Sequence, residues 1–60
     1  MSDVIRLVVV DDHPLFRRGL ISLLSQDERF SVKGEAGDIG EALRLLRSAT
    51  PDVMLLDNHL

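Results

Sequence analysis

The sequence holds no cysteine, no tryptophan and no tyrosine, and only two phenylalanines and two prolines among its 60 residues. Without cysteine there is neither a disulfide staple nor a thiolate zinc site, so the chain depends on packing alone. That is demanding at this length, because so short a chain buries only about 60% of the surface it exposes when unfolded. One domain at most is expected. No apolar run approaches the roughly 20 residues that span a bilayer. The opening MSDVIRLVVVDD carries an acid at Asp3 and lacks a signal peptide's charged start and longer apolar region. No membrane partner is expected, and a soluble cytoplasmic chain is the default reading. Charge of one sign is not concentrated either. Ten acidic against seven basic residues leave a net charge of -3, and Arg6, Arg17, Arg18, Arg29, Lys33, Arg44 and Arg47 are spread along the chain. Nothing resembles a nucleic-acid-binding patch.

What is present is patterned. Val4 to Val10 is a β-branched and leucine-rich run bounded by Asp11 and Asp12, and it reads as a buried strand. Pro14 suits the first helical position. Phe16, Leu20, Leu23 and Leu24 then recur at helical spacing, which predicts a helix from Pro14 to Ser25 with these four as its apolar stripe. Phe30 to Ala36 alternates Val32, Gly34 and Ala36 with Ser31, Lys33 and Glu35, as a strand with one wet side does. Asp38 and Glu41 form an N-cap and capping-box pair, so a second helix starts near Ile39. Its stripe is Ile39, Ala42, Leu43, Leu46 and Ala49, and it ends before Pro51. Val53 to Leu56 is continuous and apolar, and is expected to be a strand covered on both faces.

Strand, helix, strand, helix, strand with short connections predicts a parallel α/β sheet with right-handed crossovers. The wettest strand belongs at an edge and the most apolar in the middle, giving the order 2-1-3 with the helices on opposite faces. In that order the winding reverses between strands one and three, and open α/β sheets place ligands at the C-terminal ends of such a pair. Asp11 and Asp12 end strand one and Asp57 ends strand three. Three carboxylates so close must share protons or hold a cation. All-oxygen ligation favours a hard ion such as Mg2+, which keeps waters and takes phosphate oxygens. Asp57 is then a candidate nucleophile toward a phosphoryl group.

Other readings compete. An aspartate after a strand commonly caps the next helix, so each acid alone has a structural explanation. His13 and His59 with a carboxylate would make a facial triad or a zinc site, although neither belongs to a His-x-Asp or His-x-x-x-His pair. No glycine-rich loop follows strand one, which disfavours a P-loop or dinucleotide fold. A haloacid-dehalogenase-like phosphatase requires Asp-x-Asp where this chain has Asp11-Asp12-His13.

VVVDDHPLFRRGL (Val8 to Leu20), VKGEAGD (Val32 to Asp38) and PDVMLLD (Pro51 to Asp57) resemble the receiver domain of a NarL/FixJ (LuxR-type) two-component response regulator. The resemblance implies a flavodoxin-like, doubly wound parallel sheet, of which residues 1–60 supply the first βαβαβ half. It implies that Asp57 is the phosphoacceptor for a sensor histidine kinase. Mg2+ would be bound by Asp12 directly, by Asp11 mainly through water, by Asp57, and by the backbone carbonyl of His59. Leu15, Arg17 and Arg18 would lie where the kinase docks. Any enzymatic activity would be limited to Mg2+-dependent self-phosphorylation and dephosphorylation. DNA would be met only through a helix-turn-helix output domain outside this chain, and a homodimer is compatible. The family's hydroxyl residue, lysine and aromatic switch residue have no counterpart here, so residue 60 is not expected to be a natural end. A receiver-like interaction module that never carries phosphate is the alternative.

Overall fold

Five elements follow in the expected order in a computed structural model that describes residues 3–57: β1 (Ile5–Asp11), α1 (Pro14–Ser25), β2 (Phe30–Ala36), α2 (Ile39–Ala49) and β3 (Val53–Asp57). The strands are parallel and lie in the order β2-β1-β3. The central strand is the driest. Leu7, Val8, Val9 and Val10 are buried, because β1 has a neighbour on each edge and a helix over each face.

The two faces carry different helices. Val8, Val10, Ala36 and Ala42 form one core cluster, with Leu45, Ala49 and Met54 packed against it, so α2 covers this face. Glu35 pairs in register with Val9 and bonds Arg17 of α1, which puts α1 on the other face.

The stripes turn by one position relative to the expected ones. In α1 the half-buried positions are Arg17, Leu20, Ile21 and Leu24, whereas Phe16 and Leu23 are exposed, Leu23 by 68%. In α2 Ala42 is buried and Leu45 and Ala49 are half-buried, whereas Ile39, Leu43 and Leu46 are exposed. Both helices carry apolar residues over a wide arc, and periodicity cannot say which part of it meets the sheet. The simple alternation expected in β2 is interrupted too. Leu7 pairs with Val32 but Val8 pairs with Gly34, so an irregularity at Lys33 puts Val32 and Gly34 beside residues of opposite faces. β3 is less covered than its sequence implies. Val53 and Leu56 are exposed, Leu56 by 65%, because neither helix packs on this strand among the described residues.

Gly34 lets α2 approach the sheet closely. A Cβ there would sit 2.9 Å from Leu45 Cδ2 and 3.2 Å from its Cδ1. Gly34→Val is therefore expected to destabilise the natural full-length protein by about 1–3 kcal/mol through overpacking. Combined with Leu45→Ala it should cost about 1 kcal/mol less than the two single losses added, because each change relieves the other. Urea unfolding of the four species measures both numbers, and strict additivity would contradict this close approach.

Local bonds fix the ends of the elements. The Asp38 carboxylate accepts from the Glu41 N–H at 2.8 Å as an N-cap, and Glu41 reaches back to the N–H of Gly37 at 3.1 Å. Arg6 and Asp52 join the starts of β1 and β3. The Arg6 N–H donates to the Asp52 carboxylate at 2.9 Å, and the Asp52 N–H donates to the Arg6 carbonyl at 2.9 Å. The Arg6 side chain also bonds the carbonyl of Thr50 at 2.8 Å, where the backbone closes α2 in the left-handed region at φ 42°. Before β2, Asp27 is lowered to about 2 by hydrogen bonds from the Arg29 side chain and backbone, with the charge of Arg29 adding to them. Both groups are in water, so this pair adds little to stability.

Candidate functional site

All three strands are parallel, so their C-terminal ends, and the loops that follow β1 and β2, open on one side. A cavity of about 320 Å³ lies there, lined by Val10, Asp11, Asp12, Gly37, Asp38, Ile39, Leu56 and Asp57. Asp11 and Asp57 are partners across the β1–β3 ladder, which sets two carboxylate-bearing residues side by side at the reversal of winding. Asp12 follows at the first bend of the chain and is exposed. The structure thus gathers Asp11, Asp12 and Asp57 around one cavity, as the predicted strand order requires.

The three acids differ in surroundings. Asp11 is only 1% exposed, and its Oδ1 accepts from the His13 N–H at 2.6 Å, a short bond that closes the turn from strand to helix. Asp57 is half-buried at the end of its strand. Asp12 faces water. Across the cavity stands Asp38, which the sequence marked only as a helix cap. Its second role as a wall residue follows from the parallel order, which brings the loop after β2 to the same side as the loop after β1 and the C-terminal end of β3.

His13 is the N-cap of α1, its Nδ1 accepting from the Phe16 N–H at 3.2 Å. That accounts for a residue otherwise readable as a metal ligand. His59, the other half of that reading and the source of the expected backbone carbonyl, lies outside the described residues. Among the described residues, no group of three or more His, Cys, Asp or Glu side chains is close enough together to hold an ion. Asp11, Asp12 and Asp57 offer hard oxygen donors around open space rather than a closed cage. This suits Mg2+, which takes one or two carboxylates and keeps several waters, better than it suits Zn2+.

A family model of the response regulator receiver domain matches residues 7–60. The chain belongs to the response regulator receiver family. The receiver is also similar to the DNA-binding transcriptional activator DevR/DosR of Mycobacterium tuberculosis, with 44% identity over 95% of this chain and 26% of that protein. It is 44% identical over 95% of its length to a protein-glutamate methylesterase/protein-glutamine glutaminase of Rhizobium etli, covering 16% of that protein. The signal receiver domain of a NarL response regulator from Mycobacterium tuberculosis superposes with a TM-score of 0.85 at 49% identity, covering 92% of this chain and 44% of that one. The fold is therefore that of a NarL-type receiver, and the present chain spans about a quarter of the length of DevR/DosR.

The residues of α1 expected near a partner fall into two environments in the receiver. Leu15 is 77% exposed and Arg18 is also at the surface. Arg17 turns inward, its side chain 14% exposed, and donates to Glu35 and to the carbonyls of Asp11 and Ala36. Arg17, Leu20, Ile21 and Leu24 share the inward face at i, i+3, i+4 and i+7, one arc among those the apolar positions of α1 allow, and packing on the sheet selects it. The described residues include no helix long and apolar enough to cross a membrane.

Proposed function

We propose that this receiver takes a phosphoryl group on Asp57 from a phosphohistidine of a sensor histidine kinase. The observation that supports this most directly is the shared cavity. Asp57 opens into the same space as Asp11 and Asp12, at the β1–β3 reversal where α/β sheets bind ligands. In the transfer, a carboxylate oxygen of Asp57 attacks phosphorus, an O–P bond forms as the N–P bond breaks, and the imidazole leaves with its nitrogen lone pair. The acyl phosphate is later hydrolysed by water, returning the Asp57 carboxylate and inorganic phosphate.

Three anionic side chains repel an incoming anion, so the chemistry needs a counter-charge. Asp12 would hold Mg2+ directly and Asp11 mainly through water, with Asp57 and the backbone carbonyl of His59 as further donors, and the ion would supply positive charge for the phosphoryl oxygens. The chain's own contribution is positional. Asp11 closes its turn with His13, and its strand fixes Asp57 alongside it. Asp12 projects from the bend between them and the helix. Val10, Ile39 and Leu56 supply the apolar part of the cavity's lining.

Leu15 and Arg18 form the exposed start of α1 beside this mouth and would contact the kinase. The output belongs outside this chain. Residues 1–60 would be the N-terminal part of a receiver whose remainder completes the site, followed by a helix-turn-helix domain that binds DNA in response to phosphorylation. The relation to DevR/DosR supports a DNA-binding output; the relation to a methylesterase shows that similar receivers accompany other outputs.

The test is intact-mass analysis of the natural full-length protein incubated with Mg2+ and acetyl phosphate, beside Asp57→Asn. A phosphate adduct on the wild type and none on the variant is expected. A well-folded wild type with no adduct would instead favour an interaction module that does not carry phosphate.

A further inference from the structure

The guanidinium of Arg17 is held by three acceptors from the ends of two strands. Its Nε donates to Glu35 Oε1 at 2.7 Å, and its Nη1 donates to the carbonyl of Asp11 at 2.6 Å and, at 3.4 Å, to that of Ala36. Gly37 lies beside the guanidinium, and a Cβ there would stand 3.1 Å from Nη1, a tight contact. The carbonyl of Asp11 belongs to the peptide that joins Asp11 to Asp12. The next peptide, joining Asp12 to His13, is held by the His13 N–H bonding Asp11 Oδ1 at 2.6 Å. Asp12 thus sits between two peptide planes, each fixed by a short bond, and Arg17 makes one of them.

We propose that Arg17, oriented by Glu35, is a positioning residue for the cation site. It fixes the peptide before Asp12 and so directs the Asp12 carboxylate into the cavity without touching the ion. Glu35 has a second effect, because its charge offsets that of Arg17 and leaves the mouth its own negative charge for a cation. A lysine could not replace this arrangement fully, since an ammonium lacks the rigid fork that meets a carboxylate and a carbonyl at once. The inference rests on the mouth being a Mg2+ site. It separates Arg17 from Leu15 and Arg18, whose side chains face outward.

The test is calorimetric titration of Mg2+ alone into the natural full-length protein. The variants are Arg17→Gln, Arg17→Lys and Glu35→Gln, with Leu45→Ala as a destabilised control whose side chain packs on the other face of the sheet. Partners that orient a metal's ligands typically change affinity by about 10- to 100-fold. Arg17→Gln is expected to weaken Mg2+ about 10-fold or more, with Arg17→Lys intermediate and Leu45→Ala within about twofold of wild type. In phosphorylation assays, the half-saturating Mg2+ concentration should shift for Arg17→Lys while the plateau rate changes little. Should Arg17→Gln fail to fold, Arg17→Lys and Glu35→Gln decide the matter. Wild-type affinity in the Arg17 variants that fold, or equal weakening by Leu45→Ala, would overturn the proposal. A wild type that binds no Mg2+ would overturn it together with the cation reading. Mg2+ binding without phosphate uptake would remove only the phosphoacceptor reading, and the affinities would still decide the role of Arg17.

Discussion

Asp12→Ala is expected to raise the Mg2+ concentration for half-maximal phosphorylation of the natural full-length protein by about 100-fold or more, while leaving the metal-free protein at least as stable. On the proposed role of Asp12 as a direct oxygen donor, its removal should cost more affinity than losing a residue that merely orients one. The stability expectation has the opposite sign for an electrostatic reason. Asp12 shares its cavity with Asp11, Asp38 and Asp57, and without a cation these carboxylates repel one another. Its own side chain is exposed, so truncation opens no hole in the core. Thermal melts with and without Mg2+ separate the two effects. The wild type should gain stability on adding Mg2+, and Asp12→Ala should gain almost none. A variant that melts lower without metal, yet responds normally to Mg2+, would show that Asp12 serves the fold and not the ion. Asp11 would not give so clean a result, because Asp11→Ala also breaks the bond that closes the turn at His13.

The 60-residue chain by itself should lack a cooperative two-state melt at low micromolar concentration. Among the described residues, six hydrophobic ones are buried: Leu7, Val8, Val9, Val10, Ala36 and Ala42. Set against them are exposed Phe16 and Leu23 on α1, Ile39, Leu43 and Leu46 on α2, and Val53 and Leu56 on β3. The accessible surface of 4438 Å² exceeds the roughly 3900 Å² expected of a folded monomer of this mass. Among the described residues β3 pairs with β1 alone, which leaves it an edge strand bearing apolar side chains, the arrangement that invites edge-to-edge association. Circular dichroism should show partial helix content with a broad, non-cooperative thermal transition. Sedimentation should show association that grows with concentration. A sharp, concentration-independent transition of a monomer would contradict this expectation and would mean that β1 and its two helices suffice.

Reading the chain without coordinates fixed the element boundaries closely because each end carries its own chemistry. Pro14 starts α1, Asp38 and Glu41 start α2, and Pro51 prevents its continuation; these are local effects that need no tertiary partner. The strand order was legible for a related reason, since a strand with one wet side belongs at an edge and an all-apolar one in the middle. From that order, the meeting of Asp11, Asp12 and Asp57 followed directly.

Tertiary structure alone decided how the helices were turned and what three polar residues were for. The inward choice of Leu45 over Leu43 and Leu46 came from the notch that Gly34 leaves in the sheet, a fit between side-chain shapes on elements distant in sequence. His13 was a possible ligand until its ring nitrogen was found capping a helix. Asp38 became a wall of the cavity only when the loop after β2 was placed. Arg17, one arginine of an adjacent pair, was set apart from Arg18 by facing the ends of two strands, one of them 18 residues away in the chain at Glu35. Periodicity and capping act over about one helical turn or one strand repeat, so the sequence could determine the elements and their order. Which face is covered, and which charge is turned inward, depends on packing between elements.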